Sequence, residues 1–205
     1  MVTAQACSRP LNPGMNSMKS ILLKSVKKAH VIGMFVLALS FLATPVLMAS
    51  AGNAQNAGNA QDARVAKSMA ALKDQTAKLG APKIDGKDVV GGRDAPALYF
   101  GSTKMNNNFS VVDAVAKEGG RDMGATLFVK SGDDYIRVAT NVSLRTGSGR
   151  GLGTVLAGAP LDAIKAGNAY YGKVSVLGTA YVSGYEPIKD ATGATIGVYF
   201  VGYRK

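Results

Sequence analysis

The sequence predicts an α+β domain built on a central antiparallel sheet of about five strands. Three observations carry this. Ala125–Lys130 and Tyr135–Thr140 are apolar and β-branched runs joined by a Gly132-Asp133 turn. Three further strand-like runs close the chain, separated only by short turns, which favours antiparallel pairing. Ahead of them, apolar residues recur at helical spacing over Asp62–Leu79.

The elements follow in order. Residues 1–51 read as a signal peptide: Lys24, Lys27 and Lys28 precede an uncharged apolar stretch from Val31, and Ala49-Ser50-Ala51 supplies a small-x-small cleavage pattern. Met15 and Met18 are both open as the true start, and an uncleaved membrane anchor is the alternative. Residues 52–61, in the repeat AGNAQNAGNAQ, read as a low-complexity tether. The domain is expected over 62–205. In its first helix Val65, Met69, Leu72, Thr76 and Leu79 form one stripe, stopped by Gly80 and Pro82. That stripe suits packing on its own domain or a homodimer seam. Ala97–Phe100 is a short strand candidate, and Phe109, Val112, Val115 and Ala116 suggest a helix closed by Gly119-Gly120. Thr146–Gly153 holds four glycines and reads as a mobile loop. Pro160–Ala166 is a short helix with Leu161 and Ile164 inward. Tyr170–Leu177, Ala180–Glu186 and Thr195–Tyr203 are the closing strands, with turns at Gly178-Thr179 and Asp190–Gly193.

Composition removes chemistry. The chain carries 24 basic and 13 acidic groups, a formal charge of +11. Residues 1–51 hold five of the bases and no acid, so the expected mature part keeps 19 against 13. The sole cysteine, Cys7, and the sole histidine, His30, lie in the leader. A mature chain without them has no disulfide, thiol nucleophile, Ser-His-Asp triad or Cys/His zinc site. No cofactor, metal or nucleic-acid partner is expected, and an enzyme is not. Gly147–Gly151 does not complete a phosphate-loop pattern, and Asp133-Asp134 sits in a turn, where solvation is the expected role.

The run Gly124-Ala125-Thr126-Leu127-Phe128-Val129, followed by Gly132-Asp133-Asp134-Tyr135-Ile136-Arg137-Val138-Ala139-Thr140-Asn141, resembles the ATxFv…gDDfxRvsTn pattern of Cache sensor domains. The resemblance continues through Gly153–Leu156, Ala169–Gly172, Tyr185–Ile188 and Ile196-Gly197 to Val201-Gly202. Order and spacing are similar to the Cache type 3/type 2 fusion domain of methyl-accepting chemotaxis receptors. It implies a PAS-like single domain with a long N-terminal helix behind the sheet and a ligand pocket before it. It also implies extracytoplasmic small-molecule sensing in chemotaxis or signal transduction. With the chain ending at Lys205, the expectation is a ligand-binding module, free in the periplasm or anchored to the inner membrane by its N-terminus. A membrane receptor or a second copy would be its partner.

Candidate ligand-binding residues follow from alternation. Arg137 lies mid-strand between Ile136 and Val138, on one stripe with Tyr135 and Ala139. A guanidinium there needs a partner, either a ligand carboxylate or an internal Asp or Glu. Tyr181 and Tyr185 share one face of their strand with Ser183, and Tyr171 and Lys173 share one face of the neighbouring strand. Tyrosines suit pocket walls, apolar in body and polar at the tip, or simply pack the sheet. The leading expectation is a sensor module for a small anionic metabolite. The alternative is a cell-envelope interaction module that contacts a receptor without its own ligand.

Overall fold

The computed structural model describes residues 51–147 and 149–205, with side chains from residue 63 onward. The expected export segment through Ser50 lies outside the described residues. The chain runs α1 (Ala51–Ala77), β1 (Pro82–Val90), β2 (Arg93–Phe100), β3 (Thr103–Lys104), α2 (Ser110–Gly119), β4 (Met123–Ser131), β5 (Asp134–Thr140), α3 (Ala159–Lys165), β6 (Tyr170–Val176), β7 (Thr179–Lys189) and β8 (Thr195–Arg204). No helix among the described residues is long and apolar enough to cross a membrane.

The class is α+β, and the five expected strands form one antiparallel sheet in the order β5-β4-β8-β7-β6. Each neighbour follows from a short connection or from the chain's return. Leu177 (φ 48°) and Gly178 (φ 83°) make a tight turn that pairs Val176 with Thr179. Strand β8 lies between β7 and β4 and is buried along almost its whole length.

The sheet buries both faces. One face packs against Val65, Met69 and Leu72 of α1 and against Val112 and Val115 of α2, through Leu127, Val129, Ile136 and Val201. These α1 residues are the stripe read from the sequence. Two tyrosines of β8 fix α1 in register. The Tyr203 hydroxyl bonds Ser68 Oγ at 2.7 Å, and the Tyr199 hydroxyl bonds Thr76 Oγ1 at 3.2 Å. The opposite face carries Phe128, Tyr135, Tyr181, Tyr185 and Phe200, covered by Leu156 and by Ile164 of α3.

Residues 52–61, expected as a tether, fall within the bounds of α1 (Ala51–Ala77). Two expectations are corrected. A second, three-stranded sheet β1-β2-β3 stands where only Ala97–Phe100 was expected. Its β1 is exposed and polar, and its register slips between Ile84 and Lys87. The glycine-rich segment expected as a mobile loop is tied down. Arg150 donates to both oxygens of Asp113 at 2.6 and 2.9 Å and to the Thr140 carbonyl at 2.7 Å, with its guanidinium 4.3 Å from the Phe109 ring.

Candidate functional site

The β4–β5 hairpin builds the site. Ser131 pairs with Asp134, so the register places Lys130 opposite Tyr135 and Phe128 opposite Arg137. Next comes a bulge: Leu127 pairs with Ala139, leaving Val138 without an opposite residue. Alternation therefore breaks at this point. Tyr135 and Arg137 share the face away from α1, whereas Val138 and Ala139 both belong to the core beneath the helices. The expected stripe of Tyr135, Arg137 and Ala139 is corrected accordingly.

Arg137 is 4% exposed. Its guanidinium carbon stands 5.0 Å from the Phe128 ring centre. Nη1 donates to Thr154 Oγ1 at 2.8 Å and reaches the Gly151 carbonyl at 3.5 Å. The Thr154 hydroxyl in turn donates to that carbonyl at 2.7 Å. Nε is buried and hydrogen-bonds to nothing among the described residues. Among the described residues no carboxylate pairs with it. Burial pushes its pKa down to about 10, and the nearby Tyr185 and Tyr181 only partly offset this. The expected alternative of an internal salt bridge is thus not what holds Arg137.

Tyr181 and Tyr185 stand on the same face. Both are buried, and both pack on Phe200, with centroids at 6.1 and 4.9 Å. Burial raises the pKa of Tyr185 well above the ordinary phenol value, with Arg137 opposing. Burial likewise raises that of Tyr135.

The backbone of Gly153–Leu156 closes the outer edge. The Arg137 amide donates to the Thr154 carbonyl (2.9 Å), Gly153 N donates to the Arg137 carbonyl (3.0 Å), and Leu156 N donates to the Tyr135 carbonyl (3.0 Å). Gly151 fits between Arg137 and Leu177; a Cβ there would stand 2.4 Å from Leu177 Cδ1 and 3.0 Å from Arg137 Nη1. The same segment backs onto the β1–β2 turn, where a Cβ on Gly91 would meet the Leu152 carbonyl oxygen at 2.4 Å.

Of the residues the sequence singled out, Arg137, Tyr135, Tyr181 and Tyr185 come together. Tyr171 and Lys173 do not. Tyr170 pairs with Tyr185, so Tyr171 pairs with Gly184 on the α1 side. There the Tyr171 hydroxyl donates to Glu186, which also binds Lys73 at 2.7 Å, and this clips α1 to the sheet. Lys173 is exposed on that side, opposite Val182. Sequence reasoning missed Phe128, Gly151 and Thr154. Phe128 was recoverable from the hairpin register. The other two lie in an irregular segment with no periodic signal.

Such an arrangement, a buried cation with one unbonded donor among aromatic rings, can take up an acceptor of opposite charge. Compared with known families, residues 47–205 match the Cache 3/Cache 2 fusion domain. A comparison with curated proteins found no match.

Proposed function

The chain belongs to the Cache 3/Cache 2 fusion domain family, and from that premise we propose that it is an exported sensor module holding a small anionic metabolite against Arg137. Cache domains act outside the cytoplasm as small-molecule sensors in signal transduction, not as enzymes. In this reading residues 1–51 direct export to the periplasm, and the bound state is passed to a membrane receptor or to a second copy. Tyr135, Tyr181 and Tyr185 form the walls of the site.

The carrying observation is the Arg137 guanidinium, buried with Nε unbonded and no carboxylate beside it among the described residues. Buried charges are ordinarily paired, because leaving water costs several kcal/mol per ion. A fold that tolerates that cost holds a group whose partner arrives from outside. A carboxylate offers two oxygens to a planar fork of donors.

Thermal-shift screening against carboxylates, amino acids and purines tests the reading. A ligand at 100 times its Kd adds about 2.7 kcal/mol. The expected stabilisers are anions, and Arg137→Lys weakens them about tenfold or more, since lysine keeps the charge but loses the fork. Stabilisation by neutral purines alone, or by anions equally well in Arg137→Lys, contradicts the assignment. An absence of any stabiliser favours a ligand-free interaction module.

A further inference from the structure

Independently of what Arg137 holds, we propose that one end of the five-stranded sheet docks the domain on an anionic phospholipid surface. The observation is where the exposed bases stand. Met123 of β4 pairs with Tyr203 of β8, so the start of one strand and the finish of the other lie at the same end. Arg121 precedes β4 there, and Arg204 and Lys205 close β8. Lys117 occupies the last turn of α2, just before them. Arg64 of α1 reaches the same place: Nη2 donates to the Gly119 carbonyl at 3.3 Å, and the guanidinium carbon lies 4.0 Å from the Tyr203 ring centre. Arg145 comes from the loop after β5 and stands beside the β6–β7 turn, where a Cβ on Gly178 would meet its Cδ at 3.2 Å.

All six bases are exposed, and none forms an ion pair among the described residues. Glu118 and Asp122 are the acidic side chains described beside them, and Asp113, farther back on α2, is taken by Arg150. The opposite end of the sheet mixes signs: Lys130, Lys165 and Lys189 stand among Asp133, Asp134 and Asp190. Strand β4 separates the two ends by 9 residues, about 30 Å. The Debye length at physiological salt is about 8 Å, so each end presents its own field to a partner.

Like charges gathered without counter-charges repel one another, and a polyanion from outside relieves that repulsion. The exposed large apolar side chains, Ile84, Val89, Val155 and Tyr171, lie on β1, beside β5 and on β6, away from this end. A protein partner is ordinarily held by an apolar centre inside a polar rim, and here only the rim is present. Nor do the bases converge on one cavity. Arg64 borders a recess between α1 and α2, while Arg204 borders a separate one with Asn141. Bases spread over an end in this way suit a planar array of phosphates, each of which accepts from a guanidinium fork or an ammonium. Cache domains act outside the cytoplasm, where the headgroups of a membrane are the anionic surface that faces them.

Vesicle flotation tests this. Residues 47–205 hold both hydrophobic cores and the whole family match, so they serve as the folding unit. Their binding is measured to vesicles of phosphatidylcholine alone and of phosphatidylcholine mixed equally with phosphatidylglycerol. Wild type is compared with the double variant Arg121→Glu, Lys205→Glu and with Lys130→Glu, Lys189→Glu, which alters the net charge equally at the opposite end. Circular dichroism confirms that each variant folds. Wild type is expected to float with the mixed vesicles and not with phosphatidylcholine alone. Affinity should fall about tenfold or more in the first variant and in about 0.5 M NaCl, and stay within about threefold in the second variant. Equal losses in the two variants would assign binding to overall charge and overturn the proposal. Equal binding to both kinds of vesicle, or binding to neither, would overturn it as well. Capture by soluble heparin without any flotation would mean a soluble polyanion in place of a lipid surface.

Discussion

Replacing Arg137 with methionine is expected to stabilise the unliganded domain. The pKa of Arg137 falls from 12.5 to about 10 on burial. At roughly 1.4 kcal/mol per unit, holding the cation inside costs about 3 kcal/mol. Thr154 and Phe128 return about 1–2 kcal/mol through one good hydrogen bond and one ring contact. Methionine is of similar length, flexible and uncharged, and Thr154 keeps its bond to the Gly151 carbonyl. The net gain is about 1–2 kcal/mol, or about 4 °C in Tm for a domain of this size. Urea denaturation at pH 7 measures it directly. The gain should shrink as pH rises through about 10, where the folded wild type sheds its proton before the unfolded chain does. The same variant must lose response to anions. A loss of stability above about 1 kcal/mol in Arg137→Met would instead make Arg137 a structural partner that stabilises the domain.

Three further outcomes follow from the packing. Gly91→Ala should cost about 3 kcal/mol or more and Gly92→Ala about 1 kcal/mol, because both have positive φ but only Gly91 has backbone where its Cβ would go; equal losses in paired urea melts would contradict this. Tyr203→Phe should cost about 1–2 kcal/mol by stranding buried Ser68, and adding Ser68→Ala should recover part of it; calorimetry of the two variants checks both. Burial would raise the Glu186 pKa, yet its bonds to Lys73 and Tyr171 outweigh that and hold it below 4.5. Its contribution is therefore present above that value and lost as pH falls through the lower folded one. Glu186→Gln should cost about 1 kcal/mol at pH 7, with a gap from wild type that closes in acid melts.

The five-stranded sheet was legible because its turns announce themselves. Gly132-Asp133, Gly178 and Asp190–Gly193 punctuate apolar runs, and the stripe from Val65 to Thr76 marks the packed part of α1. The small sheet was not legible, since β1 buries little besides Val90, and β2 carries Pro96 inside a strand. Asn106 fills in beside β2, accepting from Leu98 N at 2.9 Å and donating to the Pro96 carbonyl at 3.0 Å, a role no local pattern signals. At the site, strand alternation grouped Tyr181 with Tyr185 correctly. It could not foresee the bulge at Val138, which moved Ala139 to the other face. Tyr171 illustrates a different failure. Alternation gives relative faces within a strand, but only the turn register shows that Tyr170, not Tyr171, stands opposite Tyr185.

An anion that binds Arg137 meets its unbonded Nε, and that group reports the contact. Side-chain ¹⁵N NMR can follow the Arg137 Nε–H, assigned by its disappearance in Arg137→Lys, while the best stabilising carboxylate is titrated into the folded wild type. An anion held by Arg137 shifts that resonance saturably, with the same Kd that calorimetry gives. A ligand that saturates the protein and moves other resonances, while the Arg137 Nε–H stays in place, would contradict that contact.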